Sequence, residues 1–129
     1  MCLILLALGA HPAYPLIVAA NRDEAYDRPA APAAFWSDHP RIFSGRDLEQ
    51  GGTWLGLAAN GRFAAITNYR QGHRLAAARS RGELTRDFLT GSAEARDYLA
   101  AVEARSHHYN GFSLIVGGLD GLSFFSNRG

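Results

Sequence analysis

The sequence predicts an α+β domain with the element order ββ–loop–ββ–αα–ββ. Three observations carry this. Short apolar runs of strand length stand near both ends of the chain. An Asn-Gly pair separates two further apolar runs in the middle. Two segments with helical spacing of apolar residues lie between positions 83 and 105. A length of 129 residues and a mass of 14.0 kDa fit a single domain, residues 1–129.

Residues 2–8 (CLILLAL) form a continuous apolar run that reads as a strand buried on both faces. Residues 9–15 (GAHPAYP) hold two prolines and a glycine and read as a loop. Residues 16–20 (LIVAA) make a second strand, and a hairpin of the two would set the chain start beside residues 21–24. Residues 25–50 read as a loop, because Pro29, Pro32 and Pro40 interrupt regular structure. The Phe35-Trp36 pair is expected to pin that loop to the body. TWLGLA (53–58) and FAAITN (63–68) flank Asn60-Gly61, a strong hairpin signal. Ser80 and Glu83 have capping-box spacing, and Leu84, Phe88 and Leu89 then share one helical face up to Gly91. Ser92 can cap a second helix, with Ala95, Tyr98, Leu99 and Val102 on its inner side. Strands at 112–116 and 122–126 follow, joined through Asp120-Gly121.

Six apolar strands against two helices leave a surplus of sheet. Helices at 83–90 and 93–105 can cover one face, and the other face calls for a second sheet. With the sequence stopping in a turn directly after a strand, the chain is expected to be the N-terminal half of a longer protein.

Thirteen basic and twelve acidic residues nearly cancel, which argues against broad electrostatic binding to nucleic acid or an anionic membrane. Every basic residue is Arg, so catalytic lysine, Schiff-base and P-loop lysine chemistry is excluded. The single cysteine, Cys2, excludes an internal disulfide and a cysteine zinc cluster. The apolar run at 1–10 is shorter than the roughly 20 residues that span a bilayer, and no charged leader precedes it. A cytoplasmic protein without metal or cofactor, able to self-associate, is the expectation. His11, His39, His73, His107 and His108 show no ligand spacing.

Four places can carry chemistry. Removal of Met1 would make Cys2 the N-terminus, with thiol and α-amine on one residue. The amine, with a reference pKa of about 7.7–8.0, can serve as base for the thiol, and the thiolate can attack an amide carbonyl. Cys2 also fits a small buried apolar residue. The second place is Asn21-Arg22-Asp23-Glu24, which also fits a solvated turn. There Asp23 can hold the ammonium and Arg22 can favour the thiolate. The third is Thr67-Asn68-Tyr69, where an amide can stabilise an oxyanion. The fourth is GGTWLG (51–56), whose paired glycines allow the backbone to approach something closely. The arginines between positions 70 and 86 fit a solvated face and can also pair with a ligand carboxylate or phosphate.

Met1-Cys2, NRDE (21–24), GGTWLG (51–56), TNY (67–69), RGEL (81–84), YNGF (109–112) and NRG (127–129) occur in that order. Together they resemble the NRDE family, also called the Transport and Golgi Organization 2 family, over the whole chain. The resemblance implies the αββα sandwich of N-terminal nucleophile hydrolases, in the branch of bile salt hydrolase, penicillin V acylase and acid ceramidase. It implies Cys2 as nucleophile, Asp23 as the aspartate after the second strand with Asn21 two residues before it, and an oxyanion amide at Asn68. The branch arginine falls where this sequence has Ala20. Arg22, two positions on, points to the same side in an extended strand. The function so implied is hydrolysis of a non-peptide C–N amide bond with an apolar acyl group, in a small amide or lipid-like molecule. The alternative is a non-catalytic binding or trafficking protein for haem, acyl-CoA or lipid, since eukaryotic members are associated with Golgi organisation, lipid metabolism and haem mobilisation.

Overall fold

The first two apolar runs pair as an antiparallel hairpin of β1 (Leu3–His11) and β2 (Tyr14–Asn21), in register from Leu3 opposite Asn21. The computed structural model describes residues 3–22, 26–69, 75–76 and 78–128. The expected loop at 9–15 shrinks to a turn at Pro12-Ala13, closed by the Ala13 N–H donating to His11 Nδ1 at 3.0 Å. A register shift between Leu8 and His11, with Gly9 at φ +68°, lets Pro15 sit in a strand despite its missing N–H. The expectation that the first strand is buried on both faces is not met. Leu3, Leu5 and Leu8 are exposed, and no residue of β1 is buried. The hairpin forms a two-stranded sheet, and among the described residues no further strand pairs with it.

The second correction concerns residues 25–50, which hold two strands rather than a loop. These are β3 (Ala30–Phe35) and β4 (Ile42–Asp47), paired antiparallel. Pro32 fits because β3 is the edge strand and the ladder shifts register between Ala31 and Ala34. Trp36 is buried as expected, and its indole N–H donates to the Ser44 carbonyl at 3.2 Å; its neighbour Phe35 stays exposed.

β5 (Leu55–Ala58) and β6 (Phe63–Asn68) form the predicted hairpin, with Gly61 at φ +91° and its N–H donating to the Ala58 carbonyl. After two helices, β7 (Phe112–Gly118) and β8 (Gly121–Ser126) complete an antiparallel six-stranded sheet in the order β3-β4-β5-β6-β7-β8. The helices are α1 (Gly82–Thr90) and α2 (Ala95–Arg105). Neither begins as the sequence suggests. The residue before α1 is Arg81 and the one before α2 is Glu94, neither with a side-chain cap, so Ser80 and Ser92 are not the N-caps. Glu83 is drawn instead to Arg79 and Tyr109, two charge-assisted partners stronger than a single backbone N–H.

The predicted helix faces are correct. Leu84, Phe88 and Leu89 of α1 and Tyr98 and Val102 of α2 pack on Ile42, Ala64, Ile66, Leu114 and Val116 of the sheet, with Ala95 and Leu99 at the margin. This gives a helix layer on a sheet layer, an α+β arrangement consistent with part of an αββα sandwich. Strand alternation puts Phe35, Phe43, Leu57 and Phe124 on the opposite face, where all four are exposed.

Candidate functional site

Paired glycines end β5 at its N-terminal side and bring it against a helix. A Cβ on Gly52 would lie 2.5 Å from the Gly82 carbonyl carbon and 2.6 Å from its oxygen. The close approach foreseen for GGTWLG is therefore to the start of α1, within the RGEL motif. It is fastened by the Thr53 N–H donating to the Gly82 carbonyl at 3.3 Å and by the Thr85 hydroxyl donating to the Thr53 carbonyl. Thr53 also bonds Ser44 through its hydroxyl at 2.6 Å, which ties the same point to β4.

This detour leaves a gap in the sheet. The Ile66 N–H donates to the Trp54 carbonyl at 2.8 Å, so alternate amides of β6 face β5. Continuing that register puts Gly52 across from Asn68. The Gly52 carbonyl instead accepts from the Asp47 N–H at 2.9 Å. On its other side β6 continues to pair, since the Tyr69 N–H donates to the Gly111 carbonyl at 2.8 Å. Alternation then turns the Asn68 N–H away from β7, towards the side where β5 has left the ladder.

A cavity of about 390 Å³ opens there. Asn68 lines it, together with Arg22, Arg28, Arg46, Arg79 and Arg81. Asp47 is the one carboxylate among its described lining residues, and no histidine is among them. Several of the arginines are held in place. Arg28 grips Asp47 through two hydrogen bonds of 3.2 and 2.7 Å and also meets Glu49 at 3.1 Å. Arg46 grips Asp38 with both terminal nitrogens and lies over the Trp36 ring, 4.1 Å from its centre. Arg79 is tied to Glu83 at 2.7 Å, and Arg81 donates to the Gly111 carbonyl at 2.8 Å. Burial pushes the Asp47 carboxyl up, but the Arg28 guanidinium and the Glu49 N–H more than reverse this and hold it below the ordinary carboxylate range.

The structure thus brings together Arg22 and Asn68 of the five residues singled out in the sequence. Asn21 is exposed at the end of β2, opposite Leu3. Cys2 and Asp23 lie outside the described residues. Arg79 and Arg81 belong to the arginine-rich stretch noted in the sequence. Arg28 and Arg46 were missed because they fall in the segment read as a loop; the alternation in IFSGRD (42–47) was the available signal.

Other sequence motifs close the same end of the sheet. Asn127 of NRG accepts from the Phe112 N–H at 2.9 Å through Oδ1, and its Nδ2 donates towards the carbonyls of Ser106, Tyr109 and Asn110 at 3.2–3.4 Å. NRG is therefore the clamp on the YNGF turn, and that turn supplies Gly111, the partner of Tyr69 and Arg81.

The family model described as Transport and Golgi organisation 2 matches residues 1–129. The Transport and Golgi organization protein 2 homologs of Bos taurus and Homo sapiens are 45% and 44% identical over the whole of this chain. The Drosophila melanogaster Transport and Golgi organization protein 2 is 32% identical over 77% of it. The chain spans about half the length of the mammalian relatives, 51% in each case, and 38% of the Drosophila protein. Among the described residues no helix is long and apolar enough to cross a membrane. A match from the first residue to the last shows that the chain belongs to the Transport and Golgi organisation 2 family.

Proposed function

We propose that the protein is a cysteine amidohydrolase of the N-terminal nucleophile type, acting on a small non-peptide amide with an apolar acyl group in the cytoplasm. The observation that carries the reading is the gap beside β6. The Asn68 N–H faces a cavity that Arg22 also lines, and Arg22 directly follows the β2 strand end, whose last residue pairs with Leu3. The chain positions next in sequence to that pair on the two strands are Cys2 and Arg22.

In this reading the freed α-amine of Cys2 takes the thiol proton, and the thiolate adds to the amide carbonyl carbon. The Asn68 N–H stabilises the oxyanion. The ammonium then protonates the leaving nitrogen as the C–N bond breaks, giving an amine and a thioester. Water, deprotonated by the same amine, hydrolyses the thioester and regenerates the thiol. Asp23 orients the ammonium, Asn21 braces the strand end and Arg22 favours the thiolate.

Intact mass and an electrophilic thiol probe test this directly. The expected result is loss of Met1, labelling at Cys2, and abolition of labelling and amide hydrolysis in Cys2→Ala. Retained Met1, or an amidase activity that survives Cys2→Ala, refutes the mechanism.

A second reading is non-catalytic binding or trafficking of haem, acyl-CoA or a lipid on the same fold. The transport named for the relatives and the cationic wall of the cavity favour it. It predicts saturable binding of such a ligand at micromolar concentration that is indifferent to Cys2→Ala. Self-association through the exposed Phe35, Phe43, Leu57 and Phe124 face is compatible with either reading.

A further inference from the structure

We infer that the cavity beside Asn68 is a recognition site for the anionic end of a small molecule, a phosphoryl or carboxylate group, met by the guanidinium groups of its wall. Three observations converge on this. The described wall carries five guanidinium groups and a single carboxylate. Of the carboxylates that pin three of these arginines, Asp47 lies in the lining while Asp38, Glu49 and Glu83 lie outside it, so the described lining carries a formal excess of positive charge. The start of α1 supplies Ser80, Arg81 and Gly82 to the same wall, which adds the positive end of a nine-residue helix to the guanidinium field.

The pinning matters as much as the charge. Ion pairs of Arg28 with Asp47 and of Arg46 with Asp38, each through two nitrogens, fix the guanidinium planes before a ligand arrives. With their paired donors used on these carboxylates, the two guanidinium groups fix the shape of the wall, and no rotamer freedom of theirs is lost when a ligand enters. An apolar acyl group alone gives no account of five arginines around one cavity. A ligand with an apolar part and an anionic end does. The inference concerns binding and stands whether or not a bond is cut there.

Calorimetric titration of the full protein with inorganic pyrophosphate and with citrate tests it. Saturable binding of either is expected, weakening steeply as salt is raised from about 50 to about 500 mM. Tighter pyrophosphate binding assigns a phosphoryl group, and tighter citrate binding assigns a carboxylate. Arg81→Gln and Arg22→Gln should each lower the affinity about ten-fold or more, the loss of a charge-assisted contact. Arg41→Gln, in the exposed turn before β4 and outside the lining of the cavity, should leave it unchanged. A parent that retains Met1 or hydrolyses no amide, yet binds these anions, separates failure of the amidase reading from failure of this one. Absence of saturable binding in the parent, binding indifferent to salt, or equal affinity in the two arginine variants and Arg41→Gln would overturn the inference.

Discussion

Replacing Gly52 with Ala tests the packing on which the cavity depends. The added Cβ would stand 2.5 Å from the Gly82 carbonyl carbon and 3.0 Å from the Glu83 nitrogen, where 3.4 Å is the start of ordinary contact. The three nearest atoms are all backbone, so the clash is not relieved by a side chain swinging aside. Relief requires a shift of nearly 1 Å between the β5 entry and the start of α1. That shift stretches the Thr53 N–H bond to Gly82, already 3.3 Å, and misaligns the Thr85 hydroxyl on the Thr53 carbonyl. One lost backbone hydrogen bond costs about 1 kcal/mol, and overpacking strain adds about 1–3 kcal/mol. The sum, about 2–4 kcal/mol, corresponds to a fall in melting temperature of roughly 8–16 °C for a domain of this size. Gly9→Ala is the matched control. Gly9 sits at φ +68° with nothing within 4 Å of its would-be Cβ, so only the backbone penalty of about 1–2 kcal/mol applies. Thermal unfolding followed by circular dichroism compares the two. If Gly52→Ala melts within 2 °C of the parent, or above Gly9→Ala, the claim that this contact is rigid is refuted.

The Asn127 clamp predicts that Asn127→Ala costs about 2–4 kcal/mol, because it strands the Phe112 N–H and the carbonyls beneath it; chemical denaturation measures this. Asn127→Asp should cost at least as much, since a carboxylate would face the carbonyls of Ser106, Tyr109 and Asn110. Burial pushes the Glu83 carboxyl up, yet the Tyr109 and Arg79 hydrogen bonds hold it below the ordinary range. Its contribution to stability is therefore present above the unfolded carboxylate value of about 4.3 and is lost as pH falls below it; Tyr109→Phe should flatten that acid limb in melting curves. Burial and the Glu83 carboxylate push Tyr109 up to about 12, so its stabilisation is intact below about 10 and disappears as pH climbs through 12. Alkaline difference absorbance should lose its ionisation step at about 12 in Tyr109→Phe. Arg62 lies 3.7 Å from the centre of the Phe88 ring and donates through Nε to the Phe88 carbonyl at 2.8 Å. Arg62→Lys, which keeps the charge and loses the planar fork, should destabilise by about 1–2 kcal/mol in the same denaturation assay.

The helix faces and three hairpins could be read from periodicity and turn residues because those signals are local. Leu84, Phe88, Tyr98 and Val102 are buried where the spacing put them, and Asn60-Gly61 turns as its backbone preference demands. β3 was illegible because its proline is tolerated only at a sheet edge, a fact about neighbours that no window of sequence contains. The missed caps have the same origin. Ser80 had the right spacing, but Arg79 and Tyr109 compete for Glu83, and Tyr109 is 26 residues away along the chain. At the site, Asn68 could be nominated from its place after a strand, whereas Arg28 and Arg46 join it only through strands the sequence hid. The apolar first strand was expected to be covered, and its hairpin instead has exposed leucines on a pair of strands that joins no other strand among the described residues.

The departure of β5 from the ladder at Thr53 has one more effect. Because a missing rung, and not a chosen side chain, creates the donor at Asn68, its position is set by main-chain geometry alone. The surrounding arginines can then be exchanged to suit a different guest without moving that donor. Lengthening β5 by a single pair would do the reverse, restoring the ladder and sealing the recess.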